Sequence, residues 1–442
     1  MKKLIIFFVG LLLCSPLFSQ NSETKENDFS LGAQVRSRAE YRNGAQSPHA
    51  DGADVAGFVN DRARLSMEYK RSNLSLGLAA QHVGVWGQDP QVVGNGSERF
   101  MLNEAWASLN SGTGFFLKFG RQSLVYDDER ILGALDWNVS GRYHDALKLG
   151  YENPMNKLHL ILAFNQTAEK TTGTFYPVVL QGAGQPYKTM QTLWYQHIGS
   201  KMFNASFLVM NIGTDAGHIA SATDGPEKSE IKYLQTLGTN LSYQPDGLSL
   251  YGTFYYQSGK TASLTDKKVS AFMWAINASY AFTPTWKVLL ASDYLSGNDG
   301  KDADKYKAFN PLYGTHHKFY GTMDYFYASA FINSNTNPGL WDNQIGLSFK
   351  ASPKVTLALN YHYFSTTTDV YAGDDKLKRA LGSEWDLQVN WNVMKDVAFT
   401  GGYSTMFGND TMKAVKGGDP SKYQDWAWIS LNINPKILIT KW

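Results

Sequence analysis

FFLKFGRQSLVYDDERILGALDWNVSGRYHDALKLGY, residues Phe115–Tyr151, carries the pattern that decides the fold. Phe115, Leu117 and Phe119 alternate with Lys118, Gly120 and Gln122. A period of two belongs to a β-strand, whose successive side chains point to opposite faces. The chain then enters a loop dense in charge, with Asp127, Asp128, Glu129, Arg130, Asp136, Arg142 and Asp145. A second alternating strand, Ala146–Tyr151, leads back out and carries Lys148 on its polar face. One face is apolar, the other polar, and charge gathers at one end.

The same hairpin recurs along the chain. Phe29, Leu31, Ala33, Val35, Ser37, Ala39 and Tyr41 form one face of a strand whose other face holds Gln34, Arg36, Arg38, Glu40 and Arg42. The next strand, 56–70, sets Val59, Ala63, Leu65, Met67 and Tyr69 against Arg62, Arg64, Ser66 and Glu68. Asp61 falls on its apolar face and is placed at the rim. Tight connections near 71–73, 110–114, 153–154, 200–201, 245–247, 283–284, 352–353 and 394–396 alternate with long polar ones. The long ones cover 43–55, 86–99, 123–145, 168–189, 213–232, 258–268, 296–340, 366–383 and 407–422. Segments of about ten residues separated by alternately short and long connections are the signature of a bacterial outer-membrane barrel. The expected architecture is therefore all-β, a single transmembrane antiparallel β-barrel of about 18 strands, with short periplasmic turns and long extracellular loops. A propeller would show a motif at a fixed period, and none is present.

Composition agrees. Aromatic residues make up 14% of the chain, with 40 glycines against 14 prolines. Lys2 and Lys3, the apolar run Leu4–Leu13 and the segment Ser15–Ser19 read as a secretory signal, 1–19, ahead of a barrel over 20–442. Cys14 is the only cysteine, and Leu13 before it argues against a lipoprotein signal. Without it the mature chain has neither disulfides nor thiolate metal ligands. Loss of Lys2 and Lys3 takes the net charge from +2 to 0, which gives no reason to expect nucleic acid.

A barrel of this size is too wide for its strand side chains to fill, so a water-filled lumen is expected, with selectivity set by the charges that line it. Parity turns Arg36, Arg38, Arg42, Arg62, Arg64, Lys118, Lys148 and Lys350 inward, together with Glu40, Glu68, Glu104, Asp342, Glu384 and Asp386. Any one of these charges reads equally well as a wall-stiffening pair. As a group, Arg36, Arg38, Arg62 and Arg64 outnumber the nearby acids, and free guanidinium forks suit carboxylates. Strict alternation puts Arg121 on the lipid face with Phe119, at a cost of up to about 2–4 kcal/mol near the midplane. A bulge at Gly120 that turns Arg121 inward is the expected remedy.

The strand DRARLSMEYK (61–70), the segment KFGRQSLVYDDERILGALDWNVSGRYHDALKL (118–149) and NPLYGTHHKFYGTMDYF (310–326) resemble the bacterial alginate-export family. The resemblance implies an outer-membrane channel whose arginine-rich lumen passes an anionic polysaccharide outward by passive diffusion. It assigns the path to Arg62 and Arg64 in the strand and to Arg121, Arg130 and Arg142 in the middle segment. With the parity reading, the candidate path is Arg36, Arg38, Arg62, Arg64, Arg121, Arg130, Arg142, Lys118 and Lys148. A small-anion porin with no polymer role is the alternative; an outer-membrane hydrolase and a purely structural barrel follow.

No cofactor or metal site is expected. His316–His317 with Asp324 lacks fixed ligand spacing, and Asp127–Glu129 lacks the ligand periodicity of a calcium loop. No Ser, His and carboxylate set stands at diagnostic spacing, so the chain is not read as an enzyme. Expected partners are outer-membrane lipid, an anionic polysaccharide or small anions, and the insertion machinery, which reads the strand Gln424–Ile433 and the aromatic end Trp442. A monomer is favoured. Any gate belongs to the loops 123–145 and 296–340, folded inward or standing over the mouth.

Overall fold

The computed structural model describes residues 27–442 except 51, 89–99, 170, 172, 174–175, 177–186, 201, 217–228, 262–266 and 328–336. The expected signal, 1–19, lies outside the described residues. The first half of the chain supplies β1 (Asp28–Asn43), β2 (Ala56–Arg71), β3 (Leu74–Val85), β4 (Phe100–Asn110), β5 (Phe115–Gln122), β6 (His144–Glu152), β7 (Asn156–Phe164), β8 (Thr189–Ile198) and β9 (Phe203–Asp215). The second half supplies β10 (Ile231–Tyr243), β11 (Leu248–Gly259), β12 (Lys268–Ala281), β13 (Trp286–Leu295), β14 (Leu340–Ser352), β15 (Val355–Ser365), β16 (Ala380–Met394), β17 (Val397–Gly408) and β18 (Gln424–Ile433). Each pairs antiparallel with its sequence neighbours, and β18 closes the ring on β1, with Val35 opposite Ile433. The result is a closed 18-stranded antiparallel β-barrel. Closure matters because an open edge has no water to satisfy it within a membrane.

At Pro435 the last strand loses a donor and shifts register, then resumes as Lys436–Lys441 opposite Asp28–Gly32. The Asn27 amide donates to the Trp442 carbonyl at 2.7 Å, tying the two ends of the chain together. The loop 409–423 holds a short helix, α1 (Asp410–Lys416), which the strand pattern did not announce. The Asn409 side chain caps it by accepting from the Thr411 and Met412 amides.

Alternation sorts the side chains as the period of two requires. Val35, Leu65, Ile276, Leu290 and Ile345 point outward at 48–58% exposure, the face that meets lipid. Aromatic pairs mark the short-turn end of this face, among them Phe115–Tyr151 at 4.7 Å and Trp286–Phe349 at 4.4 Å. Inward-facing Arg38, Glu40, Arg62, Gln81, Gln122, Glu384 and Asp386 are all buried.

One expected detail is overturned. No bulge turns Arg121 inward: β5 pairs without interruption, Arg121 opposite Ala105 on one side and Asp145 on the other. Arg121 stays on the outer face near the long-loop end of its strand. There Asp145 neutralises it through bonds of 2.9 and 3.0 Å, and its guanidinium lies 4.1 Å over Tyr143. An ion pair removes the isolated charge that made the lipid face costly. The register break lies one strand away, between β3 and β4, where Asn103 and Glu104 stand in succession at the step from Ala79 to Ala80.

Gly120 has a different task. Its φ is +109°, and a Cβ there would sit 2.3 Å from the Ala105 carbonyl oxygen. Gly120→Val should lower barrel stability by at least about 1–3 kcal/mol, the usual cost of such backbone strain. Gly252→Ala, with open space around it, should be near neutral. Urea midpoints of barrels refolded in lipid vesicles check both; equal midpoints would remove Gly120 as a constraint.

Candidate pore and the loops inside it

Of the two long loops expected as gates, 123–143 and the described residues 296–327 fold into the barrel. The first, 123–143, starts on the β7–β9 wall. Tyr126 bonds to His159 Nδ1 at 2.9 Å, and Asp127 accepts from Ser206 Oγ at 2.5 Å and Trp194 Nε1 at 3.2 Å. Burial pushes the Asp127 carboxyl up to about 6, against the pull of those two bonds.

Arg130 then crosses to β13. Its Nη1 and Nη2 close on the two oxygens of Asp293 at 2.7 and 3.0 Å, and its Nε meets Asp128 at 2.7 Å. The guanidinium lies 3.9 Å over the Phe319 ring. Burial opposes its charge, but Asp293 and Asp128 outweigh that and hold it above the ordinary arginine value.

The return arm of the loop is irregular backbone whose carbonyls have no ladder to join, and such groups must find donors. The wall supplies them in sequence order. Arg36 donates to the Asp136 carbonyl at 2.7 Å and to that of Asn138 at 3.2 Å. Arg38 donates to Trp137 at 2.7 Å, and Arg62 to Val139 at 3.3 Å. Gln81 and Asn103 both reach Ser140, at 2.7 and 3.1 Å. The Asp136 carboxylate sits between Arg36 and Arg62 at 3.2 and 2.9 Å. Trp137 is held between the Arg38 guanidinium at 3.8 Å and the His317 ring at 4.0 Å.

The described part of the second loop, 296–327, packs on the first. Leu132 and Tyr313 form a bridge, the Thr315 amide donates to the Glu129 carbonyl at 2.8 Å, and Arg142 donates to the Gly314 carbonyl at 2.8 Å. Burial pulls the Arg142 guanidinium down to about 10. On its far side the Met323 amide meets Glu384 at 2.9 Å, Thr322 bonds to Asp386, and Tyr325 reaches Gln424 at 2.7 Å. His362 links Asp342 at 2.9 Å to Asp386 at 3.5 Å beneath this loop.

The expected path residues therefore divide. Arg36, Arg38 and Arg62 face the lumen, but their forks are committed to the loop and are not free for an incoming anion, because that loop's carbonyls need donors. Arg130 and Arg142 hold the two loops in place. Arg121 faces outward. Arg64 donates through Nε to Gln81 at 2.8 Å and has no carboxylate partner among the described residues. Lys118 and Lys148 stand directly opposite one another on β5 and β6, over the rings of Trp106 at 3.5 Å and Phe116 at 5.5 Å, likewise without a carboxylate. His317 is hydrogen-bonded to Asp324 at 2.8 Å, and no cluster of three or more metal-binding side chains occurs among the described residues.

The family model for alginate export matches residues 20–422. The chain belongs to the alginate export family. Crystal structures of outer-membrane channels share the fold at low identity. OccAB1 of Acinetobacter baumannii is 13% identical, with 96% of this chain and 100% of that one covered and a TM-score of 0.61. OccK9 (OpdG) of Pseudomonas aeruginosa is 12% identical over 93% of this chain and 98% of its own, TM-score 0.59. OccK2 (OpdF) of Pseudomonas aeruginosa, solved in complex with glucuronate, is 12% identical over the same shares, TM-score 0.58. No curated relative matches the chain in sequence. Family and fold together make this alginate export family member an outer-membrane channel.

One set of lumen residues escaped the sequence reading. Lys157, His159, Trp194 and Gln196 line a cavity of about 330 Å³ between the first loop and the β6–β8 wall. Extending the alternation of β5 and β6 into β7 puts Lys157 and His159 on the inward face and would have found them.

Arg130→Ala leaves Asp293 buried without its cation, a loss of about 3–5 kcal/mol at the site. The expected outcome is faster hydrogen exchange of the amides of 124–135 and a larger single-channel conductance. Unchanged exchange in that segment would remove Arg130 as the anchor.

Proposed function

We propose that this channel passes anionic solutes by passive diffusion, with acidic sugars or an acidic polysaccharide of alginate type as its cargo, along the β2–β7 side of the lumen. One observation carries the reading. After the loops have taken up Arg36, Arg38, Arg62, Arg130 and Arg142, the inward cations Arg64, Lys118, Lys148 and Lys157 make no ion pair among the described residues. Several inward acids already face a cation: Glu40 meets Arg38 and Arg42, Asp293 meets Arg130, and Asp342 meets His362, while Glu104 accepts from Trp106 Nε1. Uncompensated cations facing water attract anions and raise their local concentration.

Two inward-folded loops favour a single acidic sugar or a small anion over a polymer; passage of a chain requires both loops to move. The glucuronate found in OccK2 supports hydroxylated carboxylates as the cargo class. Export of the protein through its signal, and insertion guided by the C-terminal strand, complete the proposal. The chain acts as a conduit and not as an enzyme.

Planar-bilayer recordings under a salt gradient test the reading. The reversal potential should lie toward that of the anion. Arg64→Gln and Lys118→Gln should each reduce that bias, while Arg62→Gln should change it less, since Asp136 already offsets Arg62. A cation-directed reversal potential in the unmodified channel would end the proposal.

A further inference from the structure

We propose that the outer wall of the barrel carries a site for one anionic phospholipid of the periplasmic leaflet, with an acyl chain in a furrow over β2–β5 and the phosphate on Arg71. This goes beyond the channel reading and does not depend on it. On β4 the outward side chains Ala105 and Ala107 are methyl groups, set between Leu76 and Leu78 of β3 and Phe119 of β5. Gly77 and Gly120 lie beside them, so the wall here is thin. The Trp106 ring backs it from the lumen, where a Cβ on Gly77 would meet that ring at 2.3 Å. The result is an apolar furrow of about 500 Å³, bounded on β1 and β2 by Phe29, Met67 and Tyr69. Left unfilled, a furrow costs its lining the van der Waals contacts that an acyl chain supplies. Acyl chains are as apolar as the wall, so this contact by itself selects no lipid. Any choice among lipids has to come from the headgroup.

The two ends of the furrow differ. Toward the long loops stands Arg121, opposite Ala105, whose guanidinium is committed to Asp145 at 2.9 and 3.0 Å and to the Leu102 carbonyl at 3.1 Å. Toward the short turns stands Arg71, the next outward residue of β2 after Tyr69 and opposite Leu74. Arg71 is exposed and makes no hydrogen bond or ion pair among the described residues. The charges around it have other partners. Lys70 meets Glu68 at 2.9 Å, and Lys441 lies 3.8 Å from Asp28. The Trp442 terminus accepts from the Asn27 amide at 2.7 Å and makes no ion pair with Arg71. The outward residues of β3–β5 at this end are Leu74, Leu109 and Leu117, with no carboxylate among them. A free guanidinium fork at the water boundary takes two phosphate oxygens. A headgroup that adds an ammonium finds no acid on this face to receive it. One whose only charge is the phosphate leaves nothing unpaired, and that chemistry is phosphatidylglycerol's.

Native mass spectrometry of the full-length folded protein released from micelles tests the site, with the fold checked by heat-modifiable gel mobility. Phosphatidylglycerol and phosphatidylethanolamine are added in equal amounts. The unmodified protein should retain phosphatidylglycerol about tenfold more strongly, the worth of one charge-assisted hydrogen bond. Arg71→Gln should bring the two lipids level, while Arg71→Lys, which keeps the charge, should hold most of the preference. Ala107→Phe, which fills the furrow, should weaken retention of both lipids. Equal retention by the unmodified protein, or a preference that survives Arg71→Gln, overturns the site. So does retention unchanged by Ala107→Phe. A dimer that carries no lipid and that Ala107→Phe dissolves puts a second copy of the chain in the furrow, and it overturns the lipid site as well.

Discussion

Five consecutive backbone carbonyls, those of residues 136–140, set the terms for the lumen of this barrel. They belong to a loop with irregular conformation that lies inside a closed sheet and has no ladder of its own for them to join. Arg36, Arg38, Arg62, Gln81 and Asn103 meet them one after another from β1–β4. Arginine suits this work because its planar fork reaches two acceptors at once and stays charged when half-buried. With the return arm fixed there and Arg130 closed on Asp293 across the lumen, the first loop is pinned at both ends. The second loop packs on the first through Tyr313 and Thr315.

That arrangement changes what the arginines mean. A count of charges by parity makes β1 and β2 an electropositive stripe open to solvent. In the folded chain most of the stripe is spent on holding protein in place. The charge that remains unbalanced moves round the barrel to Arg64 and to the lysine-bearing strands β5–β7, and Asp127, Trp194 and Gln196 join it there. Lysine also differs in kind: a compact ammonium on a flexible stem binds an anion without fixing its orientation, which suits passage more than capture. The acids on β13–β16 are buried under the second loop and do not face this side.

How much of this was legible in the sequence follows from the range of each interaction. Strands, turns and the closed ring follow from side-chain period and turn residues, and both are local signals; Gln424–Ile433 and the short turns fall where the pattern puts them. The inward faces of β1 and β2 were readable for the same reason. Arg121 was misplaced because the residue that makes its outer position tolerable, Asp145, lies across the hairpin at the far end of a 21-residue loop (123–143), and the pattern of β5 alone holds no trace of it. The commitment of Arg36 and Arg38 was invisible for a stronger reason. Their partners are carbonyls about 100 positions away, and a carbonyl has no letter of its own in a sequence. Lys157 and His159 were within reach, since the alternation of β7 displays them.

The lysine side of the lumen as the conducting path is the central claim, and the chain lends itself to a direct probe because its only cysteine, Cys14, precedes the barrel. Lys118→Cys in bilayer-inserted channels, exposed to negatively and positively charged methanethiosulfonate reagents while current is recorded, reports on water access and field sign at that point. The account predicts that the negative reagent reacts faster than the positive one and that modification lowers the current. No change in current with either reagent, or faster reaction of the positive one, would contradict it.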